Sequence, residues 1–344
     1  MRSLASTFVI VFLSAALASA QNQANNGANT QIFTFAHLST PQDFQNMANA
    51  VRTIVGIQQE SIDAESKSLS VTGTEAQLAL GAWLFQALDV APPDGPKSQE
   101  YDVAASPDDV VRVFYLSAAS RAPRPMQEIV NVLRVITDAV RVYQIPEAWA
   151  ICLRGASAQA ATAAWLVPLL DQPAGAPGQA GPHQFTIPGA LDEPGHAPGS
   201  AVAVFYLGHS PTPVMLQDVI NAVRVVSDAT KIYQALIPMA IVLRGHPEQV
   251  ALGGFLIGAL DIVPGAQTAT AQYTATGDFL YPPDSTAIRV FYLPPGRNAQ
   301  DAATAVRSST KSTKVYPCAT PRAIAFRGTP EQAELAEAAL NQRP

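Results

Sequence analysis

The chain has 344 residues, 48% of them apolar and 14% charged, with a formal net charge of −6 and a pI near 5.4. That is more than one compact domain usually holds. The acid excess excludes nucleic acid as a main partner, because backbone binding needs a basic surface.

The first twenty residues carry Arg2, then an apolar run over residues 4–17, then Ala18-Ser19-Ala20. A short positive start, a brief apolar core and a small-residue site predict a signal peptide over residues 1–20, cleaved before Gln21, and not a membrane anchor. No cysteine follows the small residues, so a lipid anchor is not expected. Residues 21–30 are rich in Asn, Gln and Ala and read as a flexible leader. No other long apolar run follows, so the protein is not expected to be integral to a membrane.

An internal repeat governs the rest. Val113-Phe114-Tyr115-Leu116 recurs as Val204-Phe205-Tyr206-Leu207 and Val290-Phe291-Tyr292-Leu293, with a weaker copy at Phe33-Thr34-Phe35. Downstream, Arg52, Arg134, Arg224 and Arg307 each follow two apolar residues, and Gly73, Gly155, Gly245 and Gly328 lie 21 residues further on in every copy. Three copies close on Leu88-Asp89, Leu170-Asp171 and Leu260-Asp261, while Arg343 falls where the fourth copy's leucine would be.

Each copy reads β-α-β-β-α. The Val-Phe-Tyr-Leu run is β-branched and aromatic, as a buried strand requires. Helical spacing follows in Met126, Ile129, Val130, Leu133 and Ile136, and in Met215, Val219, Ile220, Val223 and Val226. Two strands come next, at residues 140–145 and 149–153 in copy two and 230–233 and 239–243 in copy three. Thr74 and Thr329, each followed three residues later by glutamine, then cap a second helix. The predicted fold is α+β: four two-layer modules at residues 31–89, 110–171, 201–261 and 286–344, with both helices on one sheet face. Pro/Gly-rich linkers at 90–109, 172–200 and 262–285 join them. Each linker holds a short alternating run, at Tyr101, Phe185 and Tyr273, that fits an added edge strand. The fourth module's first helix carries Ala302, Ala303 and Ser309 where the others are larger, as befits a terminal repeat.

Candidate chemistry is sparse. The five histidines His37, His183, His196, His209 and His246 show no metal-ligand spacing, and no nucleophile elbow, phosphate loop or dinucleotide fingerprint occurs. Cys152 and Cys318 read as two unpaired thiols. Arg52, Arg134, Arg224 and Arg307 read as structural, with Asp138 and Asp228 four residues after two of them available for i,i+4 pairs. Arg154, Arg244 and Arg327 precede the glycine at an exposed strand end and are the candidate interface residues. The expectation is a non-enzymatic protein without metal or cofactor.

The Val-Phe-Tyr-Leu unit, the strand ending Leu-Arg-Gly, the Thr-Pro-Glu-Gln cap and the Leu-Asp close together resemble the secretin N-domain repeat, over nearly all of the chain past residue 31. The resemblance implies β-α-β-β-α domains that stack into periplasmic rings in type II secretion and type IV pilus systems. Secretins continue into a long C-terminal β-barrel, and nothing of that kind follows here. The resemblance therefore implies a periplasmic, modular protein-interaction role without the pore, with an envelope protein or copies of itself as partner. A ligand- or cell-wall-binding module is the alternative reading, and a hydrolase with an unrecognised site the remoter one.

Overall fold

The structure, a computed structural model, describes residues 29–103, 109–190, 192, 199–209, 212–263, 269–276, 279–280 and 282–342. The signal segment, most of the leader and Arg343 lie outside the described residues.

The first module has strands β1 (Asn29–Thr34), β2 (Gln59–Asp63) and β3 (Ser68–Gly73), with helices α1 (Pro41–Ala50) and α2 (Glu75–Leu88). α1 runs on into a wider π turn over Val51–Val55. The strand order is β1-β3-β2, all antiparallel. β1 begins at Asn29, inside the segment read as leader, and Phe35 follows the strand. The weak copy is therefore Ile32-Phe33-Thr34-Phe35, with Thr34 at the tyrosine position.

The second module comprises β4 (Lys97–Asp102), β5 (Val110–Tyr115), α3 (Pro123–Thr137), β6 (Arg141–Ile145), β7 (Ala150–Gly155) and α4 (Ser157–Leu170). The third comprises β8 (His183–Thr186), β9 (Ala201–Tyr206), α5 (Pro213–Ser227), β10 (Lys231–Ala235), β11 (Ala240–Gly245) and α6 (Pro247–Leu260). In the fourth come β12 (Ala271–Thr274), β13 (Ala287–Tyr292), α7 (Ala299–Thr310), β14 (Val315–Cys318), β15 (Ala323–Gly328) and α8 (Pro330–Asn341). These three sheets are four-stranded, because β4, β8 and β12 arise in the segments read as linkers and pair antiparallel with β5, β9 and β13. Only the first module lacks that outer strand among the described residues.

Four local devices recur through the modules, the first two of them in all four. The first helix ends on a residue in the left-handed region, Gly56, Asp138, Asp228 or Lys311, with φ between 59° and 84°. The third residue of the second helix is a glutamine whose Oε1 accepts from the N-cap amide and whose Nε2 donates to a carbonyl at the end of the first helix. Those donations are Gln77 to Gly56, Gln159 to Thr137, Gln249 to Ser227 and Gln332 to Thr310, at 2.8–3.4 Å. Arg134, Arg224 and Arg307 donate Nη2 to the carbonyls of Val142, Ile232 and Val315 at 2.7–3.0 Å, tying the first helix to the second strand of the motif. Arg52 pairs instead with Glu60 on β2.

The closing aspartate is the fourth device. Asp89 accepts from the amides of Ala36, His37 and Leu38 at 2.6–2.9 Å. Asp171 accepts from the Ser117 amide and hydroxyl at 2.6 and 2.8 Å, and Asp261 from the amides of Gly208 and His209 at 2.7 and 2.9 Å. Each thus latches the end of the second helix to the loop leaving the first strand. In the fourth module that loop is Pro294-Pro295, which has no amide hydrogens to offer, and Arg297 donates to the Leu340 carbonyl instead.

The cores are shared between modules. Leu80, Leu84 and Ala87 of α2 lie in one apolar cluster with Val111, Val113, Ala150 and Cys152 of the second sheet. Helices of the second module cluster likewise with Val202, Val204, Ala240 and Val242, and those of the third with Ile288, Val290, Ala323 and Ala325. Sheet and helix layers therefore alternate through the chain, and each inner sheet is covered on both faces. The two faces of the first sheet differ: its helix side is apolar, and its outer side carries Thr30, Ile32, Thr34, Gln59, Ser61, Ser70 and Thr72.

Candidate interaction surfaces

The three arginines singled out at the strand ends lie at the three junctions between modules. Their side chains are not exposed: 13% of Arg154 and 10% of Arg244 is accessible, and none of Arg327. Each lies on the carboxyl end of the preceding module's first helix, where unpaired carbonyls and the helix dipole favour a cation.

At the first junction, Arg154 Nη1 donates to the carbonyls of Ile54 and Val55 at 2.9 and 3.1 Å, and its Nε binds Asp109 of its own module. The hydrogen bond from Arg154 holds the Asp109 carboxyl below its ordinary range. At the second, Arg244 Nη1 donates to Ile136 O at 2.7 Å and to Asp138 Oδ2 at 3.1 Å, and Lys231 also pairs with Asp138. At the third, Arg327 Nη2 meets Asp228 Oδ2 at 2.6 Å beside Lys314. The i,i+4 pairing of Asp138 with Arg134 and of Asp228 with Arg224 is not formed. The left-handed backbone at both aspartates ends the helix and turns each carboxylate to the next module.

The tyrosines of the Val-Phe-Tyr-Leu runs belong to the same junctions. Alternation puts Phe and Leu toward the module's own helices and Tyr toward the previous ones. Tyr115, Tyr206 and Tyr292 donate to the carbonyls of Ala87, Leu169 and Ala259, at 2.5–2.8 Å. Burial pushes the Tyr115 and Tyr206 phenols up to about 12. The outer strands add a ring contact at each junction: Trp83 with Tyr101, Trp165 with Phe185 and Phe255 with Tyr273, all with centroids 5.3 Å apart. Asn131 and Asn221 donate to Tyr233 and Tyr316, both at 3.2 Å.

Both ends depart from this pattern. Where the junctions have arginine and tyrosine, the first module has Thr72 and Thr34. Where the second and third junctions have aspartate, the fourth module has Lys311. The positions of Glu128, Asn131 and Val135 on α3 correspond on α7 to Asp301, Thr304 and Ser308, all exposed. The aromatic of the second helix is Ala338 in α8. Terminal repeats of stacked arrays carry such polar outer faces.

Other candidate chemistry is thin among the described residues. Cys152 and Cys318 are free, buried and in different modules, and burial pushes both thiols up. His37 and His209 bind backbone carbonyls beside the Asp latches, His183 binds Gly178 O, and His246 stacks on Phe279. His196 lies outside the described residues. No group of three or more His, Cys, Asp or Glu among the described residues could hold a metal. A cleft of about 360 Å³ opens in the third module beside Gly254 and Gly258 of α6, walled by Phe205 and Tyr206. No described helix is long and apolar enough to cross a membrane.

No protein-family model and no curated protein matches the chain. Solved structures do match. The Aeromonas hydrophila ExeD structure is 15% identical and covers 69% of this chain and 42% of its own, with a TM-score of 0.16. The type II secretion system secretin GspD of E. coli K12 is 12% identical, covering 69% and 39%, with a TM-score of 0.16. The ETEC pilotin–secretin AspS–GspD complex is 14% identical, covering 92% and 55%, with a TM-score of 0.16. This chain thus spans about two fifths of the first two structures. The fold itself is mixed α+β, with eight helices and four small antiparallel sheets among the described residues.

Proposed function

We propose that this chain is a non-enzymatic protein-interaction protein of the cell envelope that works with a secretin-type secretion or pilus apparatus. The observation that supports this reading best is the repeated junction, in which the helices of one module lie against the sheet of the next. A protein whose modules bind one another by helix-on-sheet contact offers a sheet face at one end and a helix face at the other, where a like module of another protein can dock through contacts other than the arginine and tyrosine bonds of the inner junctions. The Val-Phe-Tyr-Leu, Leu-Arg-Gly and Leu-Asp signature, which resembles the secretin N-domain repeat, supports the choice of apparatus. The signal-like residues 1–20 support the periplasm as its location.

The test is site-specific photo-cross-linking in cells, with the probe at Thr304 or Ser308 on α7 and at Ser61 or Ser70 on the first sheet. The expected product joins the chain to a secretin subunit or to an inner-membrane component of that apparatus. Cross-links confined to unrelated proteins, or recovery of the mature chain from the cytoplasm, would overturn the proposal.

A further inference from the structure

The edge strand β1 differs from every other sheet edge among the described residues. In the second, third and fourth modules the matching strand is interior, because β4, β8 or β12 lies antiparallel along it. That edge of the module is therefore one that takes an antiparallel strand, and in the first module it is open among the described residues. Every residue of β1 except Phe33 is exposed, and Ile32 is 65% exposed, in a chain with few large apolar side chains so placed.

Open edges usually carry a charge, a proline or a bulge, or are kept very short. The other edges of this chain obey that rule. β4 bears Lys97, Glu100 and Asp102, β8 and β12 are four residues each, and the opposite edges bear Glu60, Asp63, Arg141, Lys231 and Pro317. β1, Asn29-Thr30-Gln31-Ile32-Phe33-Thr34, has six residues with no charge and no proline.

We propose that β1 pairs antiparallel with β1 of a second copy, joining two first sheets into one six-stranded sheet about a two-fold axis. Opposed residues in an antiparallel pair share a face, so the residue numbers of opposed partners must add to an even number. Centring the axis on Ile32 satisfies this. It sets Ile32 against Ile32 and Thr30 against Thr34 on the outer face, and Gln31 against Phe33 on the helix face. Such a contact is isologous and closes at two copies. Head-to-tail growth through the module junction is not open to the chain, because Thr72 and Thr34 at one end and Lys311 at the other replace the pairing residues. An uncharged strand has nothing to repel its own copy, which favours self-pairing over an acidic or basic partner strand. This inference rests on β1 alone and stands apart from the proposed apparatus.

The experiment uses the mature chain from Gln21. Light scattering should find a dimer that dissociates with a Kd of about 1–10 µM, as a small interface gives. Ile32→Lys, at an exposed site, should give a monomer with an unchanged circular dichroism spectrum and a melting curve that, unlike the wild type's, does not move with protein concentration. Independently, Ile32→Cys should be joined to its copy by a short bis-maleimide cross-linker, because Cβ atoms of directly opposed residues lie about 4.5–5.5 Å apart. The two native thiols are buried and should not compete, and Val140→Cys, at a site 89% exposed, should form no such dimer. A wild-type monomer at about 100 µM, or a dimer that survives Ile32→Lys, would overturn the proposal. So would conversion of a monomer to a dimer by deletion of residues 21–28, which would make that segment the occupant of the edge.

Discussion

Replacing Arg244 by Met isolates the chemistry of a junction from its packing, because Met keeps the apolar stem and removes the guanidinium. The change deletes hydrogen bonds to Ile136 O at 2.7 Å and to Gly199 O at 3.1 Å, and the contact with Asp138 Oδ2 at 3.1 Å. A hydrogen bond from a charged donor contributes about 1.5–3 kcal/mol, and the carbonyls left behind are buried. The Asp138 contribution is smaller, about 0.5–1 kcal/mol, because that side chain is 47% exposed and keeps Lys231 as a partner. Only Ile136 and Asp138 lie across the second junction, so Arg244→Met should weaken that junction by about 2–4 kcal/mol, with the Gly199 bond lost within the third module besides. Urea unfolding followed by tryptophan fluorescence reads this directly, since Trp165 stacks on Phe185 across the same junction. A double-mutant cycle sharpens the test. Arg244 with Asp138 should couple by about 0.5–1 kcal/mol, whereas Arg134 with Asp138 should not couple measurably. A loss below about 0.5 kcal/mol for Arg244→Met, or a larger coupling in the Arg134 cycle, would refute the reasoning.

Asp171→Ala removes the latch on Ser117 and should cost about 1.5–3 kcal/mol by urea unfolding, while an exposed control such as Glu334→Ala should stay within about 0.5 kcal/mol. Acid should weaken the first junction. The Asp109 carboxyl is held below its ordinary range by Arg154, so its stabilising effect is present above the unfolded-state pKa of about 4 and is lost as pH falls through the lower folded value. Between pH 6 and pH 3, Asp109→Asn should show a shallower fall in stability than the wild type, and an identical slope would count against the pair. The thiols should be silent in the native protein: a thiol reagent at pH 8 should react with neither Cys152 nor Cys318 until denaturant is added, since both are buried with raised pKa values.

Much of the module was legible in the sequence because its determinants are local. The constant step from arginine to glycine spans the end of the first helix and the two short strands that follow it. The caps at Thr74 and Thr329 form as their spacing predicts, with amide-to-hydroxyl distances of 3.3 and 3.2 Å. Three short runs near Tyr101, Phe185 and Tyr273, which fit added strands by alternation, do become β4, β8 and β12. One longer-range signal was present but unread. Ala150-Ile151-Cys152-Leu153, Ala240-Ile241-Val242-Leu243 and Ala323-Ile324-Ala325-Phe326 are continuous apolar runs, as strands buried on both faces require, whereas Ser68-Leu69-Ser70-Val71 alternates.

The sequence by itself determined the repeat, the order of elements within each module and the polarity of the fourth module's helix. Those follow from periodicity, propensity and capping, which act over a few residues. Only the tertiary structure decided what the repeated side chains do. Whether Arg154, Arg244 and Arg327 face solvent or a helix end depends on how one module sits on the next, and Asp138 binds a residue about a hundred positions away because a left-handed backbone turns it from its own helix. The closing aspartates read only as a motif until the fold brought the loop amides to them. The open edge of β1 likewise became visible only when three sister sheets showed the strand that usually covers it.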